Sequence, residues 1–150
     1  MIAALILVVC IVVGAVIWFV VGQQQKTHRI GQALDELGIT QTYSEVHSQC
    51  VSQEGLLACE RGYLPTASLS TVRSEMIQKL KTAGYTVYDI PHGYDGPDPT
   101  FFARNTSTAI VVKTVSSDNT AYEKAYGTLQ LTAFASNDIA DNKFDLGVQL

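Results

Sequence analysis

The feature that most limits what this chain can fold into is an uninterrupted apolar run, Ile2–Val21, with no charged or strongly polar side chain. These twenty residues, at about 1.5 Å per helical residue, would span about 30 Å, the thickness of a bilayer's hydrocarbon core. A single segment can satisfy its backbone hydrogen bonds in lipid only as a helix. Trp18 and Phe19 lie near one end, where aromatic side chains favour the membrane interface. The run therefore predicts a transmembrane helix in contact with the lipid bilayer.

We interpret this helix as a retained signal anchor rather than a cleaved signal peptide. Cleaved signal peptides begin with basic residues, have a shorter apolar core and end in a site with small side chains. The run has no basic start, and Phe19-Val20-Val21-Gly22 offers no such site. Cys10 follows Val9 rather than a small residue, so we interpret it as an apolar packing residue and not as a lipidation site.

The side of the membrane on which the domain lies depends on two opposing signals. Lys26 and Arg29 follow the apolar run, and the positive-inside rule would place them in the cytoplasm. Cys50 and Cys59 instead predict a disulfide, which forms in an oxidising compartment. His47 precedes this pair, but no fourth zinc ligand is evident. We therefore expect an extracytoplasmic domain with a Cys50–Cys59 disulfide.

The rest of the chain predicts a helical stalk followed by one domain. An apolar stripe at helical spacing is formed by Ile30, Ala33, Leu34 and Leu37. Gly38 follows, where the glycine that ends a helix is expected. We expect an anchor over 1–22, an amphipathic stalk helix over 23–39 and a soluble domain over 40–150. The stripe is expected to pack against its own domain, with coiled-coil association as the alternative.

Periodicity predicts an α+β fold for the soluble domain, with one helix packed on an antiparallel sheet of four to five strands. The helix is expected over Ser70–Ala83, with Ser70 as N-cap and Gly84 at its end. Expected strands are Thr86–Ile90, Thr100–Arg104, Thr108–Val115, Thr128–Ala135 and Phe144–Leu150, the last two paired with each other. The segment Cys50–Cys59 is expected to form a loop or hairpin that turns at Gly55.

Two polar segments are the candidates for a metal site. The first combines three carboxylates and an imidazole in Asp89, His92, Asp95 and Asp98, and the second contains Asn137, Asp138, Asp141, Asn142 and Asp145. Neither has the spacing of a calcium-binding loop, and Gly, Pro and Asp are also the residues that turns favour. We expect surface turns in both places, with a weak metal-site alternative at the first.

Several functional classes lack support in the sequence. The net charge is −4, and no basic cluster exists beyond Lys26 and Arg29, which argues against nucleic-acid binding. Neither a Gly-x-Ser-x-Gly elbow nor a phosphate-binding glycine loop is present. We expect no catalytic residue and no bound cofactor. Asn105-Thr106-Ser107 matches the N-glycosylation acceptor pattern, and the sequence leaves open whether Asn105 is modified.

The order of an apolar helix, an amphipathic continuation and an antiparallel sheet with a disulfide resembles type IV pilins and pseudopilins. Mature pilins carry a glutamate at the fifth position of the apolar helix, where this sequence has Leu5. The favoured prediction is a membrane-anchored, non-catalytic binding domain that faces outward and recognises a protein or envelope partner. A pilin-like subunit of a surface filament is the alternative, and a small ion-binding or hydrolytic enzyme is a third reading.

Overall fold

The computed structural model describes residues 2–53, 56–89, 100–115 and 120–136, and in the first helix it describes side chains from Cys10 onward. The described residues form an α+β fold, as predicted, with three helices and a six-stranded antiparallel sheet rather than four to five strands. The helices are α1 (Ile2–Asp35), α2 (Leu69–Thr82) and α3 (Thr120–Tyr126). The strands are β1 (Ser44–Gln53), β2 (Leu56–Leu64), β3 (Thr86–Asp89), β4 (Thr100–Arg104), β5 (Thr108–Thr114) and β6 (Leu129–Ala135).

The sheet combines a hairpin, a three-strand meander and a last strand inserted between them. Its order is β1-β2-β6-β5-β4-β3, and every neighbouring pair is antiparallel. Because β2 and β5 occupy both sides of β6, the predicted pairing of Phe144–Leu150 with Thr128–Ala135 is wrong. The residues 144–150 themselves lie outside the described part of the chain. Alternation within β6 fixes which side chains share a face, but it does not specify the neighbouring strand.

Helix α1 is continuous for 34 residues and passes through Gly22 and Gly31 without a break. Its two halves have opposite environments. The described side chains from Cys10 to Val21 are all exposed, including Trp18 at 82%. Among the described side chains, no helical stretch is both long and apolar enough to cross a membrane.

The second half of α1 forms part of the domain's own core. All four residues of the predicted stripe are buried. Ile30, Leu34 and Leu37 belong to one cluster with side chains of the sheet, and Ala33 is buried beside them in sequence. The helix ends at Asp35, and Gly38 follows with a φ of 61°, in the left-handed region that favours glycine. The segment that follows the apolar run is therefore a packed element of the fold.

Contacts between α1 and β2 define two ends of the sheet. The Sγ atom of Cys59 lies 3.9 Å from the carbonyl oxygen of Thr27, and Arg61 forms an ion pair of 2.8 Å with Asp35. Because Thr27 precedes Asp35 along the helix, the Cys59 end of β2 lies nearer the apolar half of α1. We call this the proximal end of the sheet and the Leu64 end of β2 the distal end.

Helix α2 packs beside α1 on the same face of the sheet. Its core residues Val72, Met76 and Leu80 are fully buried. The helix begins at Leu69, one residue before the predicted range. Its N-cap is Ser68, two residues before the predicted Ser70, and Ser68 accepts a hydrogen bond from the backbone N–H of Thr71. Gly84, with a φ of 83°, ends the helix as predicted.

Two buried tyrosines interact with carboxylates of neighbouring elements, Tyr43 with Glu75 and Tyr63 with Glu45. Tyr43 donates a hydrogen bond to Glu75 of α2, and burial together with this bond raises the pKa of Tyr43 to about 12. Burial, aided by the negative charge of Glu45, raises the pKa of Tyr63 to about 12. Both hydroxyl groups therefore stay protonated over the ordinary pH range, so neither adds a negative charge to the interior.

The two cysteines lie on long paired strands, which agrees with the hairpin expected for this segment and not with the loop. Cys50 of β1 is directly opposite Cys59 of β2, with 4.0 Å between their Cα atoms. The predicted disulfide is confirmed. Its position connects β1, a strand at the edge of the sheet, to the interior strand β2. Gly55, the predicted turn residue, lies outside the described residues.

We expect the double substitution Cys50→Ala/Cys59→Ala to lower the free energy of unfolding by about 2–3 kcal/mol, because a short covalent ring no longer limits the unfolded chain. The measurement is urea denaturation of the full chain in detergent micelles, followed by circular dichroism. Cys10→Ala removes the exposed free cysteine of α1 and is the control, with no expected change. Equal stability of the double variant and the native chain would contradict the prediction.

Candidate functional site

The structure describes little of the segments in which the sequence predicted a metal site. Asp89 is the last residue of β3, whereas His92, Asp95, Asp98 and the segment 137–145 lie outside the described residues. Within the described part of the chain, no three His, Cys, Asp or Glu side chains are grouped to hold a metal ion. The metal site at Asp89, His92, Asp95 and Asp98 stays a prediction.

A different site lies on the sheet face opposite α1 and α2, which we call the outer face. Side chains alternate between the two faces of a strand. Since Cys59 and Arg61 of β2 contact α1, Glu60 and Gly62 point to the outer face. Helix α3 lies over this face and contacts β1 and β2 near their distal ends.

Two glycines allow α3 to lie directly against the sheet. A Cβ atom on Gly62 would lie 1.8 Å from the carbonyl oxygen of Tyr126, and one on Gly127 would lie 2.5 Å from the backbone nitrogen of Tyr63. Gly127 also has a φ of 79°, which ends α3. Thr128 then donates its N–H to the carbonyl oxygen of Tyr63 at 3.0 Å. Backbone contact between α3 and β2 thus depends on the absence of side chains at these two positions.

Three aromatic rings form a row beside this contact. The ring centroids of His47 and Tyr126 are 5.1 Å apart, and those of Tyr126 and Tyr122 are 4.9 Å apart. An irregularity between Glu45 and His47 shifts the register of β1, so that His47 lies opposite Gly62. Within the described atoms, the Nε2 of His47 is buried without a hydrogen-bond partner. The row therefore joins β1 to α3 across the outer face.

The row borders a groove of about 470 Å³ that we call the distal groove. The residues that line it include His47, Glu60, Tyr122, Tyr126, Gln130 and Thr132. Tyr122 and Tyr126 remain 40% and 44% exposed as residues. Polar groups surround them, and Glu60 accepts a hydrogen bond of 2.9 Å from Gln49. The groove therefore offers flat aromatic surfaces together with carboxylate, amide and hydroxyl groups.

Sequence reasoning did not identify the distal groove. The sequence indicates His47 as a possible zinc ligand beside the cysteines, and it predicts no helix over the residues of α3. The available signal was the pair Tyr122 and Tyr126, which stand four residues apart and so share one face of a helix. Comparison of the chain with protein-family models, curated proteins and solved structures finds no match.

We expect Gly62→Ala to displace α3 from the sheet and to lower the free energy of unfolding by about 1–3 kcal/mol, because the added methyl group meets backbone atoms. Hydrogen exchange of the amides of α3 and urea denaturation of the full chain measure the two effects. Gly31→Ala is the matched control, since nothing lies within 4 Å of its added Cβ atom. If α3 exchanged equally slowly in both variants, the close contact would not determine its position.

Proposed function

We propose that this protein is a membrane-anchored, non-catalytic binding domain whose distal groove recognises carbohydrate outside the cytoplasm. In this proposal Ile2–Val21 crosses the bilayer as a helix, and the α+β domain lies on the extracytoplasmic side. The observation that carries the binding function is the row of exposed tyrosines bordered by hydrogen-bonding side chains in the distal groove.

The exposed half of α1 supports the anchor. Its described side chains from Cys10 to Val21 are apolar or small and are exposed on all sides of the helix. Removing apolar surface from water is favourable by about 25 cal/mol per Å², so an isolated helix of this kind gains free energy by entering lipid. The Cys50–Cys59 disulfide supports the extracytoplasmic side, because disulfides persist in oxidising compartments.

The chemistry of the distal groove supports a ligand rich in hydroxyl groups. Sugar rings present flat C–H faces that pack on aromatic rings, and hydroxyl groups at their edges donate and accept hydrogen bonds. Tyr122 and Tyr126 supply the aromatic surface, while Glu60, Gln130 and Thr132 supply both donors and acceptors. Binding sites commonly combine aromatic surface with a few placed polar groups in this way.

Binding is favoured over hydrolysis by the number of carboxylates. Glycoside hydrolysis generally needs two carboxyl groups on opposite sides of the scissile bond. Among the described residues that line the distal groove, Glu60 is the single carboxylate, and it already accepts a hydrogen bond from Gln49. A weak binding site is also suited to an anchored protein, since tethering raises the local concentration of the domain.

The groove is tested with the full chain in phospholipid nanodiscs and three oligosaccharide probes: chitohexaose, cellohexaose and maltohexaose. We expect at least one probe to bind, and Tyr126→Ala to weaken that binding about tenfold, because one stacked aromatic ring contributes on the order of 1 kcal/mol. Calorimetric titration provides the affinities. Tyr88→Ala is the matched control, because Tyr88 is also partly exposed but does not line the distal groove.

Two results would contradict the proposed ligand class. The first is the failure of all three probes to bind the native chain at millimolar concentration. The second is an equal loss of affinity in Tyr126→Ala and Tyr88→Ala, since the tyrosine of the groove would then have no specific role.

The second candidate is a pilin-like filament subunit, and the two environments along α1 favour it. An exposed apolar half followed by a half packed on the sheet suits a subunit whose apolar helices assemble together. Shearing of intact cells distinguishes the candidates. Recovery of the chain in sheared fibres would support the filament, whereas release only by detergent would support the anchored binding domain.

A further inference from the structure

We infer that a cleft beside α1, just after the end of its apolar run, binds the phosphate group of an anionic phospholipid. The cleft lies between α1 and the turn that connects β4 to β5, and its volume is about 480 Å³. The cleft is lined by Lys26, Arg29 and Gln32 of α1 on one side and by Tyr85, Asn105 and Thr106 on the other. We call it the membrane-proximal cleft, and the inference rests on the proposed anchoring of Ile2–Val21.

The position of the two basic residues matches the headgroup layer. Lys26 and Arg29 follow Val21 by five and eight residues, which corresponds to about 7.5 and 12 Å along a helix axis. The headgroup region extends about 5–8 Å beyond the hydrocarbon core on each side. Long basic side chains bend toward this layer while their backbone lies farther out. Both charged groups can therefore reach lipid phosphates from the cleft.

The charges of the cleft favour an anion. Lys26 and Arg29 are exposed, and within the described part of the chain neither forms an ion pair. Glu36 is the acidic residue that lines the cleft. It follows Arg29 by seven residues, so it lies about 10 Å farther from the apolar run. The end of the cleft nearest the membrane is consequently basic.

The opposite wall gives the cleft a fixed shape. Asn105 accepts hydrogen bonds from the backbone N–H groups of Ser107 and Thr108 at 2.9 and 2.8 Å, which holds the turn in one conformation. Thr106 at the tip of this turn is exposed and carries a hydroxyl donor. The guanidinium group of Arg29 can donate two parallel hydrogen bonds to two oxygens of one phosphate. The ammonium group of Lys26 and the hydroxyl group of Thr106 supply further donors. This set of hydrogen-bond donors matches the phosphate of an anionic lipid more closely than that of a zwitterionic lipid, whose cationic group would meet the same basic side chains.

A lipid is favoured over free phosphate because of where the anchor holds the cleft. A site fixed at the headgroup layer meets lipid phosphates at a high effective concentration without diffusion through solution. Basic residues near a membrane surface each add a modest attraction to anionic lipids. Binding there would also give Lys26 and Arg29 a role on the extracytoplasmic side, where the positive-inside rule does not expect them.

The experiment is a lipid titration of the full chain in mild detergent, followed by native mass spectrometry. The probes are phosphatidylglycerol, phosphatidylcholine and inorganic phosphate. We expect one molecule of phosphatidylglycerol to bind each chain, more tightly than phosphatidylcholine does. The double substitution Lys26→Gln/Arg29→Gln is expected to weaken the affinity for phosphatidylglycerol about 10- to 30-fold. Lys81→Gln/Lys124→Gln changes the net charge equally at exposed lysines outside the cleft and should leave the affinity unchanged.

Each outcome decides the inference. Equal binding of the two lipids, equal effects of the two double variants, or displacement of phosphatidylglycerol by millimolar inorganic phosphate would overturn a specific lipid site. Washing native membranes with alkaline carbonate tests the anchor separately. Release of the chain by that wash would refute the proposed anchoring, whereas retention together with non-selective lipid binding would refute only the cleft.

Discussion

Packing of the second half of α1 onto the sheet is the interaction on which the rest of this structure depends. The apolar stripe from Ile30 to Leu37 is buried in the same cluster as the central strands β5 and β6. Burial of four such side chains is worth several kcal/mol, which far exceeds the about 0–1 kcal/mol expected of the partly exposed ion pair between Arg61 and Asp35. The helix that leaves the apolar run is therefore also a core element, and the orientation of the domain is fixed relative to it.

This single helix gives the domain two ends with different surroundings. The proximal end places the basic side chains Lys26 and Arg29 beside the apolar run, where the proposed contact is with lipid phosphate. The distal end holds the groove formed by β1, β2, β6 and α3, on the side of the domain away from the apolar half of α1. In the proposed function, anchoring and recognition are thus separated along the length of α1 and the sheet that packs on it.

Local patterns were sufficient for elements whose boundaries are marked within a few residues. The boundaries of β4 were predicted correctly, and α2, β3, β5 and β6 were placed to within one residue at each described end. The disulfide followed from the spacing of two cysteines. The prediction was incomplete where the signal is not local. The strand β1 is largely polar, so a hairpin was expected only as one alternative over Cys50–Cys59, and the short helix α3 has no buried residue to mark it.

The sequence by itself determined the apolar segment, the buried stripe of α1, the second helix, most of the sheet and the cysteine pair, because each is encoded by periodicity, capping or spacing along the chain. Only the tertiary structure decided that β6 lies between β2 and β5, and that the register shift at His47 and the bare backbones of Gly62 and Gly127 bring three aromatic rings together. Those contacts join residues up to 79 positions apart, from His47 to Tyr126. Their pairing depends on strand order and backbone approach, which no local pattern specifies.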